Sequence, residues 1–367
     1  MGLKRDMGAN MQILVIGYYG WKNTGDDAML YALLNKLQDQ FRGATFNVTA
    51  ASEPFVPQGV DVNQIPPGPT HAFFMAFLRS NIIILGGGTH FFDYGRKLPR
   101  ILRLAQLFLL TLAGRLTGKG VYFLGVGVER PRYWWSRFFI RNTCRLATRI
   151  FVRDSSSLGV LEEMGVDGIL SADLSFYLEY EGTKREGGLL GISAMPYFRI
   201  YSGDDEGDEA IVEAFRSAVL RWLELNPENR VRLFVFNGRP PHDDREISMR
   251  IAEMVNDERV TLHDYRENPT ETLKNVGSCG AFIAMKFHAA VFAYLNDLPT
   301  IIIEYADKNR ALAEDADFPP SSLLTLDEIT SGTLVERIED LYKHPESYRG
   351  RKKADELKGE FPKLNEP

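Results

Sequence analysis

Short apolar runs recur along the whole chain, and each stops at a glycine, a charge or a histidine. In the first half they fall at 12–16, 81–85, 120–124 and 149–152, and in the second at 189–193, 231–236, 260–262, 281–284 and 300–303. Stretches of helical spacing, such as 28–41, 208–225 and 243–255, lie between them. A run that is apolar at successive positions but too short for a helix reads as a strand buried on both faces. Its alternation with helices predicts parallel sheets covered on both sides, the α/β class. In an open sheet of that kind, ligands sit outside the carboxyl ends of the strands. The residues that end the runs are therefore where chemistry is expected.

A chain of 367 residues exceeds one ordinary core and predicts two domains. The charged, glycine-rich stretch 180–188 lacks apolar periodicity and is the expected bridge, giving domains 1–181 and 182–367. Hydrophobic residues at 44% and charged residues at 25% describe a globular protein, and a net charge of −6 argues against broad nucleic-acid binding. Cys144 and Cys279 are far apart and form no CxxC or Cys/His pattern, so neither a disulfide framework nor a zinc site is implied and a reducing compartment is expected. The first ten residues carry charge and no apolar core of a secretory signal, which makes the cytoplasm the expected location. The most apolar stretch, 101–116, contains Arg103 and Arg115 and is too short to span a bilayer; it reads as a buried helix.

The run ends carry three groups of candidates. The run at 281–284 is followed by Met285, Lys286, Phe287 and His288, and a Lys and a His two residues apart in such a turn point to an anion-handling site. The bland alternative for His288 is a helix-start histidine satisfied by backbone. After the first run, residues 17–27 read as a loop carrying Asn23, Gly25 and Asp26, where Asp26 is either a proton acceptor or the cap of the helix behind it. The run at 81–85 ends in Gly86, Gly87, Gly88 and Thr89, which would let backbone amides approach a ligand, although no Walker lysine-serine pair follows. No metal-ligand cluster is visible.

Together these pieces resemble the polysaccharide pyruvyltransferase family over most of the chain. Residues 13–30 look like its opening strand, its Asn-x-Gly-Asp element at Asn23, Gly25 and Asp26, and its Ala-rich helix. Residues 82–89 look like its triple-glycine strand end. Arg153 and Asp154, with Ser157, Leu161 and Gly165, and then Ala172 and Asp173, look like the elements that close its first domain. Residues 285–289, then Pro299 and Lys308, resemble its Met-Arg-x-His-Ala, Gly-x-Pro and late Lys. One position departs: Lys286 stands where the family usually has Arg, exchanging a planar fork for a point charge.

The resemblance implies a GT-B-like fold of two Rossmann-like domains facing across a cleft, the first on the acceptor side and the second on the donor side. It also implies transfer of a pyruvyl group from phosphoenolpyruvate to a cell-envelope or exopolysaccharide sugar, with no cofactor besides that donor. His288 is then the general acid, Arg153, Lys286 and Lys308 the cations for the donor with Gly87 and Gly88, and Asn23, Gly25 and Asp26 the acceptor side. The bland alternatives are a salt bridge to Asp154 for Arg153 and a solvated loop lysine for Lys308. Two other functions stay open: a GT-B-type glycosyltransferase using a nucleotide sugar, and a catalytically silent glycan-binding relative.

A local exception to the acidity is the segment from Arg130 to Arg149. It holds Arg130, Arg132, Arg137, Arg141, Arg145 and Arg149 without an acidic residue, interleaved with Tyr133, Trp134, Trp135, Phe138 and Phe139. Arg137, Arg141 and Arg145 are spaced to form one stripe on a helix. Peripheral contact with an anionic membrane carrying a lipid-linked acceptor is one expectation for it; a helix packed by its aromatics with solvated arginines is the other.

Overall fold

The computed structural model describes residues 11–364. By their contacts these fall into two compact units. The first holds the chain up to Trp21, then Asp26–Leu178, and the stretch from Lys358 on; the second holds Lys22–Gly25 and Glu179–Leu357. The division thus lies between Leu178 and Glu179, and two segments belong to the unit their neighbours in sequence do not. The sequence carries the second domain on to residue 367, whereas residues 358–364 pack with the first unit. Tyr177 Oη donates to the Lys358 carbonyl at 2.6 Å, Gln40 Nε2 to the Pro362 carbonyl at 2.9 Å, and the Phe361 ring stands edge-on to Tyr177.

In the first unit the strands are β1 (Gln12–Tyr19), β2 (Thr45–Ala50), β3 (Asp61–Ile65), β4 (Ile82–Phe91), β5 (Gly120–Val128), β6 (Arg149–Val152) and β7 (Ile169–Leu170). They form one parallel sheet in the order β3-β2-β1-β4-β5-β6-β7. The strands β2 and β3 carry no continuous apolar run and so are invisible to that criterion. β3 is mostly exposed at the sheet edge, and the buried Asn47 of β2 is satisfied by donating to Gln12 Oε1 at 2.8 Å. The connecting helices are α1 (Thr24–Gln40), α2 (His71–Arg79), α3 (Lys97–Leu116), α4 (Trp134–Leu146) and α5 (Ser155–Glu163). The last four pack in one core with Ile83, Leu85, Val121 and Phe123 of the central strands.

In the second unit β8 (Glu186–Ser193), β9 (Arg230–Phe234), β10 (Val260–His263), β11 (Cys279–Ala284), β12 (Thr300–Glu304) and β13 (Leu323–Thr325) form a parallel sheet in the order β10-β9-β8-β11-β12-β13. Its helices are α6 (Tyr197–Tyr201), α7 (Asp205–Leu225), α8 (Arg245–Val255), α9 (Pro269–Gly277), α10 (Phe287–Leu295), α11 (Asp307–Asp315), α12 (Leu326–Thr330), α13 (Thr333–Lys343) and α14 (Ala354–Lys358). Local chemistry starts them: Asp204 accepts from the amides of Glu206 and Gly207 to cap α7, and Asn268 accepts from Thr270 with Pro269 opening α9. The core joins Ile192, Ile283 and Ile301 of the sheet to Phe215 and Trp222 of α7.

Both units are Rossmann-like, and in both the chain leaves a central strand first one way and then the other. Each order has a topological switch, between β1 and β4 in the first unit and between β8 and β11 in the second. Adjacent strands there send their following segments to opposite faces, which opens a crevice at their carboxyl ends. The two switch points are therefore where each unit can hold a ligand. No helix among the described residues is long and apolar enough to cross a membrane.

Candidate functional site

At the switch point of the second unit, β11 ends at Ala284 and α10 begins at Phe287, so Lys286 occupies the N-cap position and His288 the first turn. The amino end of a helix favours an anion through its unpaired amides and its dipole. Lys286 Nζ lies 2.9 Å from Asp244 Oδ1, with the carboxylate fully buried and the lysine side chain 15% exposed. Asp244 also accepts from the Asn237 amide at 2.8 Å and returns its own amide to the Asn237 carbonyl at 2.8 Å. Burial pushes the Asp244 carboxyl up to about 6 against the pull of Lys286. His242 is held below its usual value by burial and by the nearby Lys286 charge.

The segment Lys22–Gly25 belongs to this unit through its backbone. The Thr24 amide donates to the Phe236 carbonyl at 2.9 Å, the Gly238 amide donates to the Lys22 carbonyl at 2.9 Å, and Asn23 bridges Asn237 in antiparallel fashion. Asn23 Oδ1 accepts from the Gly25 amide at 3.1 Å. A Cβ on Gly25 would lie 1.9 Å from His288 Nδ1, so the imidazole occupies the space that any side chain at 25 would need. The Gly25 requirement is thus contact with His288 rather than backbone freedom. Lys308, at the start of α11, places Nζ 5.1 Å from the centre of the Tyr305 ring and 5.7 Å from that of Phe287. It stands against aromatics rather than as a solvated lysine, and reaches the same strand-end region through Phe287.

The helix α1 starts at Thr24, four residues earlier than the polar loop composition indicates. Asn23 caps it, and Asp26 sits inside the first turn with Asp27, which corrects the assignment of Asp26 as cap.

The first unit arranges its switch point differently. β4 continues through the glycines to Phe91, with Gly86 paired to Leu124, Gly88 to Val126 and Thr89 to Gly127. The glycines therefore stay in the ladder and form no turn of free amides. Their absent side chains admit neighbours: a Cβ on Gly87, whose φ is +62°, would lie 2.5 Å from Met29 Sδ, and one on Gly86 would lie 2.7 Å from Tyr19 Oη. Tyr19 Oη donates to the Gly86 carbonyl at 2.6 Å, and burial, with Asp26 and Asp173 nearby, keeps its phenol protonated. Gly88 lets α1 bring Asp26 close, within 3.8 Å of where its Cβ would stand.

Arg153 follows β6, and its side chain is only 5% exposed. Its Nε donates to Asp154 Oδ2 at 3.0 Å, its Nη2 to Thr89 Oγ1 at 3.0 Å, and Nη1 stands 3.9 Å from Asp173. The guanidinium lies over Gly127, where a Cβ would meet it at 2.8 Å. Asp154 meanwhile caps α5 by accepting from Ser157 at 2.7 Å. The salt-bridge reading of Arg153 is the one these contacts describe. Asp244, Asn237 and His242 stand beside Lys286 and were not among the candidates read from the sequence. Asn237 ends the apolar run at 231–236 and Asp244 stands just before a helix, but the partner of Asp244 lies 42 positions on.

The arginine stripe of α4 runs along the carboxyl end of α5. Arg137 donates to the Glu163 carbonyl at 3.0 Å, Arg141 to Met164 at 2.8 Å and Arg145 to Gly165 at 3.2 Å, while Arg130 pairs with the Glu163 carboxylate. These guanidiniums meet the last carbonyls of α5 and its dipole, while Arg130, Arg137 and Arg145 stay exposed to solvent.

No curated protein matches the chain. Among solved structures, a putative UDP-N-acetylglucosamine 2-epimerase from Listeria monocytogenes is similar at 15% identity and TM-score 0.59, covering 93% of this chain and 90% of that one. The Neisseria meningitidis UDP-GlcNAc 2-epimerase bound to UDP-GlcNAc is similar at 12% identity and TM-score 0.58, covering 95% and 96%. One from Methanocaldococcus jannaschii follows at 9% and 0.56, covering 95% and 96%. At such identities the likeness establishes the GT-B-like fold. The sequence profile described as "Polysaccharide pyruvyl transferase" matches residues 23–307, a span running from Asn23 through His288 to the start of α11. The chain belongs to the polysaccharide pyruvyl transferase family.

Proposed function

We propose that this pyruvyltransferase takes its pyruvyl group from phosphoenolpyruvate and delivers it to two hydroxyls of a saccharide, forming a ketal and releasing phosphate. The observation that carries the reading is the packing of His288 on Gly25 beside Lys286 at the amino end of α10. Protonation of the donor methylene makes C2 electrophilic; one hydroxyl adds there and loses its proton. The second hydroxyl then displaces phosphate; of the two protons the hydroxyls lose, one replaces the proton given to the methylene and the other leaves with the phosphate as hydrogen phosphate. His288 supplies the first proton, because an imidazole exchanges protons near neutrality. Lys286 and Lys308 supply positive charge for the carboxylate and phosphate, reinforced by the helix end. Arg153 is assigned to holding Asp154 and Thr89 in place, and Asn23 and Asp26 to the acceptor side. The proposed location is the cytoplasm, where phosphoenolpyruvate is made, and the buried free thiols Cys144 and Cys279 suit a reducing compartment.

The test combines thermal stabilisation with phosphate release. Phosphoenolpyruvate should raise the unfolding temperature, since a ligand of the folded state stabilises it. His288→Ala should keep that shift while losing about 10³-fold in turnover. Lys286→Arg, which restores a forked donor, should hold or tighten donor binding. Stabilisation by UDP-GlcNAc and not by phosphoenolpyruvate would replace the proposal with nucleotide-sugar chemistry; saccharide binding without phosphate release from any donor would mark a silent glycan binder.

A further inference from the structure

The sequence of α3 reads as a buried helix, yet among its residues only Leu104, Leu107, Thr111 and Gly114 are fully so. Leu98, Leu102, Leu109 and Leu116 are 66%, 54%, 59% and 78% exposed. Their spacing of four, seven and seven places them on one stripe along the helix. Next to it α4 exposes Trp134 at 82% and Phe138 at 51%, one turn apart, while Trp135 and Ile140 enter the core. The two helices touch through Phe108, whose ring centre lies 6.3 Å from that of Phe138 and 6.0 Å from that of Phe139. The result is a continuous apolar and aromatic face on one layer of the first unit, larger than scattered surface leucines require.

Charge says what covers it. Residues 94–128 contain no Asp or Glu, although the whole chain is acidic at −6, and the segment 130–153 contains none either. Exposed Lys97, Arg103, Arg115 and Arg132 flank the apolar stripe. Pairing this face with a second copy of itself would bring basic rims together, a repulsive arrangement. An anionic bilayer answers both features: leucines and aromatics enter the headgroup and upper acyl region while the basic rim meets lipid phosphates.

We infer that the α3–α4 face seats the first unit on an anionic phospholipid surface, as a peripheral contact made by Leu98, Leu102, Leu109, Leu116, Trp134 and Phe138. The inference is independent of the donor chemistry. The full chain should sediment with vesicles of phosphatidylcholine containing about one-third phosphatidylglycerol, and about tenfold more weakly with phosphatidylcholine alone. Added salt should weaken but not abolish the first. Combining Leu102→Ser, Leu109→Ser and Trp134→Ser should reduce binding by at least about tenfold with an unchanged unfolding temperature, because all three sites are exposed. As a second measurement, lipids brominated along the acyl chain should quench wild-type tryptophan fluorescence, and Trp134→Phe should remove that quenching. Wild-type protein that stays in the supernatant with anionic vesicles overturns the inference. So does a triple variant that sediments equally, an absence of quenching, or a wild-type dimer that the triple variant converts to monomer.

Discussion

The cation that follows β6 in the first unit and the one that follows β11 in the second both stand at carboxyl ends of parallel strands, one of them two strands beyond β4 and the other beside the switch point of its sheet. Their surroundings differ. Arg153 is 5% exposed, bonded to Asp154 and Thr89, near Asp173, and laid over Gly127, so its charge is consumed within the fold. Lys286 meets the carboxylate of Asp244, remains partly exposed, and stands beside His288 at a helix amino end. The fork of Arg153 matches its several partners, whereas Lys286 brings a single point charge. Two cations that sequence alone reads alike thus differ in how far the fold has already committed their charge.

Removing the guanidinium is the sharpest way to break that contrast. Arg153→Met should leave Asp154 and Asp173 without their cation and cost about 3–5 kcal/mol of stability. In a domain of this size that is a drop of roughly 10 °C in unfolding temperature. A variant with unchanged melting and lost phosphoenolpyruvate affinity would instead make Arg153 a donor ligand.

Gly25→Ala probes the second unit. At most early helical positions the change is neutral to stabilising, since alanine is the better helix former. Here the new methyl requires His288 to move, and a displacement near 1 Å predicts a loss of about 100-fold in kcat with little change in melting. Full activity in this variant would remove His288 from the proton-transfer role, or show that it works from a different position.

The smallest effect concerns Asp244. Its folded-state pKa is raised to about 6, so folding favours the protonated carboxyl. The stability it contributes is complete below the ordinary carboxylate range and is lost as pH rises through about 6. Denaturant titrations from about pH 4 to 7 should show a decline on the order of 2 kcal/mol from this group, absent in Asp244→Asn. A wild-type stability contribution that rises across that interval would mean Lys286 outweighs the burial, and the pair would then serve the scaffold as Arg153 and Asp154 do.

Much of this was legible in residue order. The buried strands β4, β5 and β11 announce themselves as continuous runs of Ile, Leu, Val and Phe because both their faces are covered. The half-polar β2 and the exposed β3 do not, since a sheet edge and a hydrogen-bonded Asn47 permit residues that composition reads as loop. Asn23, Gly25, Lys286 and His288 stood out as types, but the glycine's partner could not be inferred from a motif 263 residues away from that histidine. The arginine stripe of α4 was legible as a face, but the α5 carbonyls it meets were not, because periodicity identifies a face without saying what lies against it.

By itself the sequence determined the α/β class, two Rossmann-like units and the strand ends where a ligand is expected, because burial on both faces demands apolar runs and each crossover demands a helix. Tertiary structure alone decided which charges are occupied. Arg153 and Asp154, adjacent in the chain, bind each other, while Lys286 finds Asp244 across the sheet edge, and Coulomb energy depends on distance and burial in space rather than on position along the chain.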